Sequence, residues 1–244
     1  MRALDLLFEE RGKVVLPLLD PDKVVAQPYY YQEVLQKIEP WATAFLVGGS
    51  TGFSQLETET TVKLVKNNTT NKKVIIFPGS PCQVAPSADA ILFMSLLNST
   101  NRKYLIDSQV EGAILVYKYG LEAIPTAYII VGEGGTAGWV GDAKPIPFDK
   151  PEILVAYSLA AKYMGFKVIY LEAGSGAKEH IPFEAVKMVK KVVGDDVLLI
   201  VGGGIRNPEV ASKMIESGAD GIVIGTILER EPERAVEIAR AVRK

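Results

Sequence analysis

Residues 167–176 read KVIYLEAGSG, an apolar run that ends on polar side chains and then turns on glycine. Val168, Ile169 and Leu171 are strand formers, so the run reads as a buried strand with Tyr170 and Glu172 at its carboxyl end. Gly174, Ser175 and Gly176 then supply a tight turn with little side chain, which lets main-chain N–H groups approach an anion closely. Two later runs close in the same way: VLLIVGGGI at 197–205 and GIVIGT at 221–226. Three such turns, each ending an apolar run, imply one phosphate site at the carboxyl edge of a parallel sheet.

Five further runs precede this one, and the reading predicts strands at 13–19, 42–47, 73–77, 89–93, 125–131, 167–171, 197–201 and 221–225. Most are unbroken in Val, Ile and Leu, as parallel strands buried on both faces require. Helical spacing of apolar residues lies between them at 151–164, 183–193, 207–217 and 231–243, with Asn207 as a cap and Pro208 in the first turn of the third. Eight strands alternating with helices predict an α/β chain folded as a (β/α)8 TIM barrel, with a doubly wound sheet as the competing arrangement. The third βα unit is irregular: residues 81–88 are too short and too proline-marked for a standard helix, so a short turn or an open side is expected there. Residues 132–150 read as the longest loop, a lid or binding element.

A length of 244 residues with 48% hydrophobic content suits one barrel domain spanning 1–244. A net charge of −2 gives no basic footprint, so nucleic acid is not an expected partner. The single cysteine, Cys82, leaves no internal disulfide, fits a reducing cytoplasm and reads as a packing residue. The opening MRALDLLFEERGK does not read as a signal peptide, and no run approaches the ~18 apolar residues of a membrane span. A soluble, intracellular protein is expected.

The chemistry concentrates at the predicted strand ends. In phosphate-binding barrels the loops after strands seven and eight hold the phosphate, which is where Gly202, Gly203 and Gly204 and then Gly225 and Thr226 fall. The plainer reading is that glycines merely close turns. Glu172, just before a phosphate turn, is placed to accept a proton from a bound hydroxyl, or else to pair with a lysine. Tyr170 points to the same face and either bonds that ligand or packs as a core aromatic. Asp20, in LLDPDK, and Ser50, in VGGSTG, offer the hard oxygen ligands that Mg²⁺ accepts, although an Asp before Pro is equally a helix cap. Lys13 and Lys23 can compensate phosphate charge. His180, with no His or Cys partner, reads as a surface residue, and Tyr29, Tyr30, Tyr31, Tyr104, Tyr117, Tyr119 and Tyr128 either line an apolar channel or pack.

The turns YLEAGSGA, VGGGI and GT, with LLDPDK, VGGST, FMSLLNS (93–99) and VGEGGTAGWVGDAKPIP (131–147), resemble the archaeal geranylgeranylglyceryl phosphate synthase family of PcrB-like prenyltransferases over nearly the whole chain. The resemblance implies a modified TIM barrel that joins the 3-hydroxyl of sn-glycerol 1-phosphate to geranylgeranyl diphosphate, with Mg²⁺ required and diphosphate released. It implies membrane-lipid biosynthesis by a cytoplasmic homo-oligomer, with no membrane span and at most peripheral contact for release of the lipid product. Carried over by position, it makes Asp20 and Ser50 the Mg²⁺ ligands. Tyr170, Leu171, Glu172, Ala173, Gly174, Ser175, Gly176, Gly202, Gly203, Gly204, Gly225 and Thr226 become the glycerol phosphate segments, with Glu172 contacting the attacking hydroxyl. Val15 and Pro17 depart from the His and Thr usual in the family's first strand. The alternatives are a sugar-phosphate isomerase or epimerase, a lyase of amino-acid biosynthesis, a synthase for longer prenyl chains and a catalytically silent barrel.

Overall fold

The eight apolar runs form eight parallel strands: β1 (Val14–Leu19), β2 (Ala44–Gly48), β3 (Lys73–Phe77), β4 (Ala90–Leu96), β5 (Glu122–Ile130), β6 (Val168–Glu172), β7 (Leu198–Gly202) and β8 (Gly221–Ile224). Each pairs with the next, and β8 pairs with β1 through Val14↔Gly221 to Pro17↔Ile224, so the sheet closes on itself. The doubly wound alternative is thereby ruled out. The computed structural model describes residues 1–49 and 54–243.

Around the barrel lie α1 (Ala3–Glu9), α2 (Pro21–Ala26), α3 (Pro28–Ile38), α4 (Gln55–Asn68), α5 (Ser108–Tyr119), α6 (Gly135–Val140), α7 (Pro151–Tyr163), α8 (Phe183–Val193), α9 (Pro208–Glu216), α10 (Thr226–Arg230) and α11 (Pro232–Arg243). Asn207 caps α9 as its position predicts, accepting from the Val210 N–H at 2.8 Å. Alternation along the strands splits the core in two. Val14, Leu16, Leu46, Ile75, Ile124, Tyr170 and Ile200 belong to the cluster inside the barrel, whereas Val15, Val47, Ile76, Ile129, Ile169, Leu171 and Val201 pack beneath the helices.

Two elements depart from the sequence reading. The opening residues form α1, whose Ala3 and Leu7 join the inner cluster at the amino end of the strands. The Glu122 carboxylate accepts from the Ala3 and Leu4 N–H groups at 2.6 and 3.1 Å, replacing the cap residue that the sequence lacks. Within 132–150 the chain is not one loop but contains α6, entered through left-handed Gly134.

Between β3 and β4 the connection carries only a 3-10 turn, Pro81–Gln83, in place of a helix. The β3–β4 ladder has two residue pairs (Ile75↔Ala90 and Ile76↔Ile91), as do β1–β2 and β7–β8, but here a cavity lies between the strands beyond the last pair. Past Ile91 the two strands separate and the wall is open. The Met94 carbonyl that this exposes accepts from the Gln109 amide of α5, and Ser95 Oγ donates to the Leu105 carbonyl in the turn before that helix at 2.7 Å.

The α1 plug generates a stability prediction. Leu7→Ala empties a fully buried site at the barrel floor and is expected to cost about 2–5 kcal/mol in urea unfolding; a loss below about 0.5 kcal/mol would mean that α1 is not part of the core.

Candidate active site

Period-two alternation along β6 turns Val168, Tyr170 and Glu172 inward and sends Ile169 and Leu171 outward. Glu172 is 7% exposed and Tyr170 1%. The Tyr170 hydroxyl donates to Glu172 Oε2 at 2.8 Å, and the Gly174 N–H donates to Oε1 at 2.7 Å. Burial pushes the Glu172 carboxyl above its usual value, while these two hydrogen bonds pull it partly back. Burial, followed by the neighbouring carboxylate, holds the Tyr170 phenol far above its ordinary value, so it stays a neutral donor. Phe77 and Tyr128 surround it, with ring centroids 5.5 and 5.1 Å from that of Tyr170.

The glycines after β7 make room for this pair. A Cβ on Gly202 would stand 2.4 Å from Tyr170 Oη and 2.8 Å from Glu172 Oε2. On Gly203, at φ +82°, it would stand 2.7 Å from Glu172 Oε1. Gly174, at φ +113°, is pressed against the backbone of Gly134 and Gly135, so α6 rests directly on the turn after β6.

A cleft of ≈ 1580 Å³, mouth included, opens above Glu172 and Tyr170. Ser175, Gly176, Gly203, Gly204, Gly225 and Thr226 line it, drawn from three loops. Among the described residues the N–H groups of Ser175, Gly176, Thr226 and Ile227 donate to no protein acceptor. Ser175 Oγ and Thr226 Oγ1 lie 3.0 Å apart across the cleft. Free amides converging from separate turns are what an oxyanion ligand requires. Leu171 and Ala173, in contrast, are buried in the outer layer and do not line the cleft, and Gly174 and Gly202 act through packing and the hydrogen bond to Glu172.

On the opposite wall Asp20 occupies the N-cap position of α2 without making a cap hydrogen bond. Its carboxylate accepts instead from Lys23 Nζ at 2.9 Å, and Lys23 also reaches Glu229 at 2.7 Å. Burial lowers the affinity of Lys23 for its proton, but the two carboxylates overcome this and the amine is held charged. Ser50 lies outside the described residues, among which no group of three or more His, Cys, Asp or Glu side chains is arranged to hold a metal. Asp20 alone suits a cation of the Mg²⁺ type, which binds through one or two carboxylates and takes its other ligands from water and substrate phosphates.

A second cavity of ≈ 870 Å³ fills the split between β3 and β4, lined mostly by apolar side chains such as Pro78, Ile91, Phe93, Met94, Leu96 and Val116. It shares Gly49, Phe77, Tyr128 and Ala137 with the cleft, so the two spaces meet beside Tyr170.

Several residues stand elsewhere than the sequence suggests. Lys13 precedes β1 at the opposite end of the barrel, and Cys82 is exposed rather than packed. His180 is half-buried, its Nδ1 2.8 Å from the Ile181 carbonyl and its ring against Phe183. Of the tyrosines, Tyr104 and Tyr128 line the apolar cavity, Tyr31 is core, and Tyr29 and Tyr117 are exposed. The sequence reading missed Arg206, Arg230, Thr136 and Phe77 in the walls; only Arg206 carried a signal, as a cation directly after the VGGGI turn.

A closed barrel with free amides and a buried carboxylate at one mouth is the arrangement of (β/α)8 enzymes acting on phosphorylated small molecules. The model of the PcrB family matches residues 7–243, and the chain belongs to that family. It is 64% identical over 242 residues to the geranylgeranylglyceryl phosphate synthase of Ignicoccus hospitalis, covering 99% of this chain and 98% of that one. It is 51% identical to that of Methanopyrus kandleri, covering 97% of each. The crystal structure of (S)-3-O-geranylgeranylglyceryl phosphate synthase from Thermoplasma acidophilum, in complex with sn-glycerol-1-phosphate, superimposes with a TM-score of 0.93 at 39% identity, covering 100% of this chain and 99% of that one.

The raised Glu172 pKa has a thermodynamic consequence. Its contribution to stability is fully present below the usual value of 4.5 and is lost as pH rises through the folded-state value. Relative to the parent protein, Glu172→Gln should therefore gain in melting temperature as pH rises above 4.5, until the carboxyl is ionised in the folded state; a Tm difference that stays constant with pH would show that the carboxylate carries no burial penalty.

Proposed function

We propose that this chain joins the 3-hydroxyl of sn-glycerol 1-phosphate to geranylgeranyl diphosphate in an ether bond and releases diphosphate, a step of archaeal membrane-lipid biosynthesis. The observation that carries the reading is the position of Glu172 and Tyr170, at the junction of a cleft with free amides and an apolar cavity. A headgroup phosphate suits the first space and a prenyl chain the second, which brings the glycerol hydroxyl and the allylic carbon together over the carboxylate.

The amides of Ser175, Gly176, Thr226 and Ile227 hold the phosphate and fix the orientation of the glycerol, removing part of the entropic barrier. Glu172 accepts the hydroxyl proton as the oxygen attacks C1 of the prenyl chain; the new C–O bond forms while the bond to diphosphate breaks and the electron pair leaves with the diphosphate. Tyr170 keeps the carboxylate oriented through Oε2. Asp20, with Ser50, would hold Mg²⁺, which when bound supplies Lewis-acid stabilisation of the departing oxygen. Lys23 stands beside Asp20 as a second positive charge for the diphosphate. The same reading makes the protein a Mg²⁺-dependent, cytoplasmic homo-oligomer formed from a single 1–244 domain. No helix among the described residues is long and apolar enough to cross a membrane, so contact with lipid would be peripheral.

Turnover assays with glycerol 1-phosphate and C15, C20, C25 and C35 diphosphates test the reading. The C20 substrate is expected to be used best, and Glu172→Gln should lower kcat by about 10²-fold or more with little change in glycerol phosphate binding. Near-normal turnover of Glu172→Gln would remove the carboxylate from the proton transfer. Asp20→Asn should move the Mg²⁺ titration to higher concentration; an unchanged titration would take Asp20 out of the metal site.

A further inference from the structure

The turn after β6 is held from the far side by a side chain that neither the fold nor the proposed proton transfer has used. Arg206 follows the β7 glycines and lines the cleft. Its Nη2 donates to the Gly176 carbonyl at 2.9 Å and to the Ala177 carbonyl at 2.7 Å, tying the 203–206 loop to the 175–177 turn. Gly204 packs beneath the same segment, where a Cβ would stand 2.3 Å from the Glu179 carbonyl oxygen. Inside the turn, the Ala177 N–H closes on the Gly174 carbonyl at 3.1 Å, which leaves the N–H groups of Ser175 and Gly176 free to face the cleft.

A glycine-rich turn has little intrinsic preference for one conformation, so amides that converge on an anion must be held there by something outside the turn. A guanidinium suits this task. The two N–H groups of its Nη2 reach two successive carbonyls, and hydrogen bonds from a charged donor are stronger than those from neutral ones. Resting on the glycerol phosphate reading above, we propose that Arg206 is the positioning residue of the headgroup clamp: by gripping the Gly176 and Ala177 carbonyls it presents the Ser175 and Gly176 amides to the phosphate. It acts on one substrate only, because neither carbonyl nor guanidinium borders the apolar cavity.

The test uses the full chain and sn-glycerol 1-phosphate itself. Arg206→Ala is expected to raise the KM for glycerol phosphate about tenfold or more, the size expected when hydrogen bonds from a charged group are lost, with the KM for the prenyl diphosphate unchanged within twofold. Arg206→Lys, which keeps the charge and a donor but on a shorter side chain without the planar Nη2, should fall between the two. Hydrogen–deuterium exchange of the ligand-free proteins supplies the second readout. Residues 173–178 should exchange faster in Arg206→Ala, with the 225–228 segment unaffected. An unchanged glycerol phosphate KM, or an equal rise in both KM values, overturns the proposal. A raised KM with unaltered exchange also overturns it, since Arg206 would then contact the phosphate directly. Calorimetry of the parent protein with glycerol 1-phosphate separates the two levels: no binding there means that the functional reading fails, whereas binding that Arg206→Ala retains in full means that only the inference fails.

Discussion

An ionisable carboxylate inside the barrel mouth is the demand that the surrounding structure meets. Removing an unpaired carboxylate from water costs several kcal/mol, and each hydrogen bond to a charged acceptor offsets about 1.5–3 kcal/mol. Glu172 receives two, one from its own strand through Tyr170 and one from the turn through the Gly174 N–H. The bonds offset the desolvation only in part, and the group is left with a raised pKa. That residue of unfavourable energy makes the carboxylate a better proton acceptor than a fully compensated one would be.

The same demand explains the neighbouring glycines. Gly202, paired directly with Glu172 in the barrel wall, and Gly203, the first residue of the turn after it, flank the carboxylate, and any side chain there would occupy the space of the Tyr170–Glu172 pair. The VGGGI turn therefore serves two ends. Its first two glycines admit the acid, and the third lets the next loop lie against the segment after β6. The free amides and the placement of the acid are thus parts of one packing solution, in which three loops approach closely because almost nothing projects between them.

What was legible in the sequence follows from how local each signal is. The eight strands are runs of β-branched and aliphatic residues buried on both faces, and such runs announce themselves without tertiary context. The terse FPGSP connection likewise declares a missing helix, since proline and length forbid one. Glu172, Tyr170, Asp20 and the cleft-lining glycines were visible because barrel loops follow strand ends in a fixed order. Other features depend on partners distant in the chain. Helix α1 is capped by Glu122, more than a hundred residues away, and so carries no N-terminal signal of its own. Helix α6 hides in a glycine-rich stretch that composition assigns to a loop, and it exists because it packs on Gly174. Leu171 and Ala173 lie within the recognised motif yet face outward, a distinction set by strand period rather than by motif membership. Cys82 looked like packing because nothing reactive surrounds it in sequence, but the open third unit leaves it at the surface.

That open unit also shapes the space beside the carboxylate. In a regular barrel each strand pair is zipped along its length and covered by a helix, so the mouth is reached only from above. Here β3 and β4 part after Ile76 and Ile91, and no helix follows β3 to fill the gap. Separating two strands strands their backbone groups, which would make the split untenable in an apolar setting. Gln109 answers part of this by donating to the Met94 carbonyl, which lets the remaining walls stay apolar. An apolar opening at this point leaves the glycine-rich loops undisturbed, since they stand on the opposite arc of the barrel at β6, β7 and β8. The polar cleft and the apolar cavity therefore occupy different arcs of the barrel and meet at Phe77 and Tyr128, beside Tyr170.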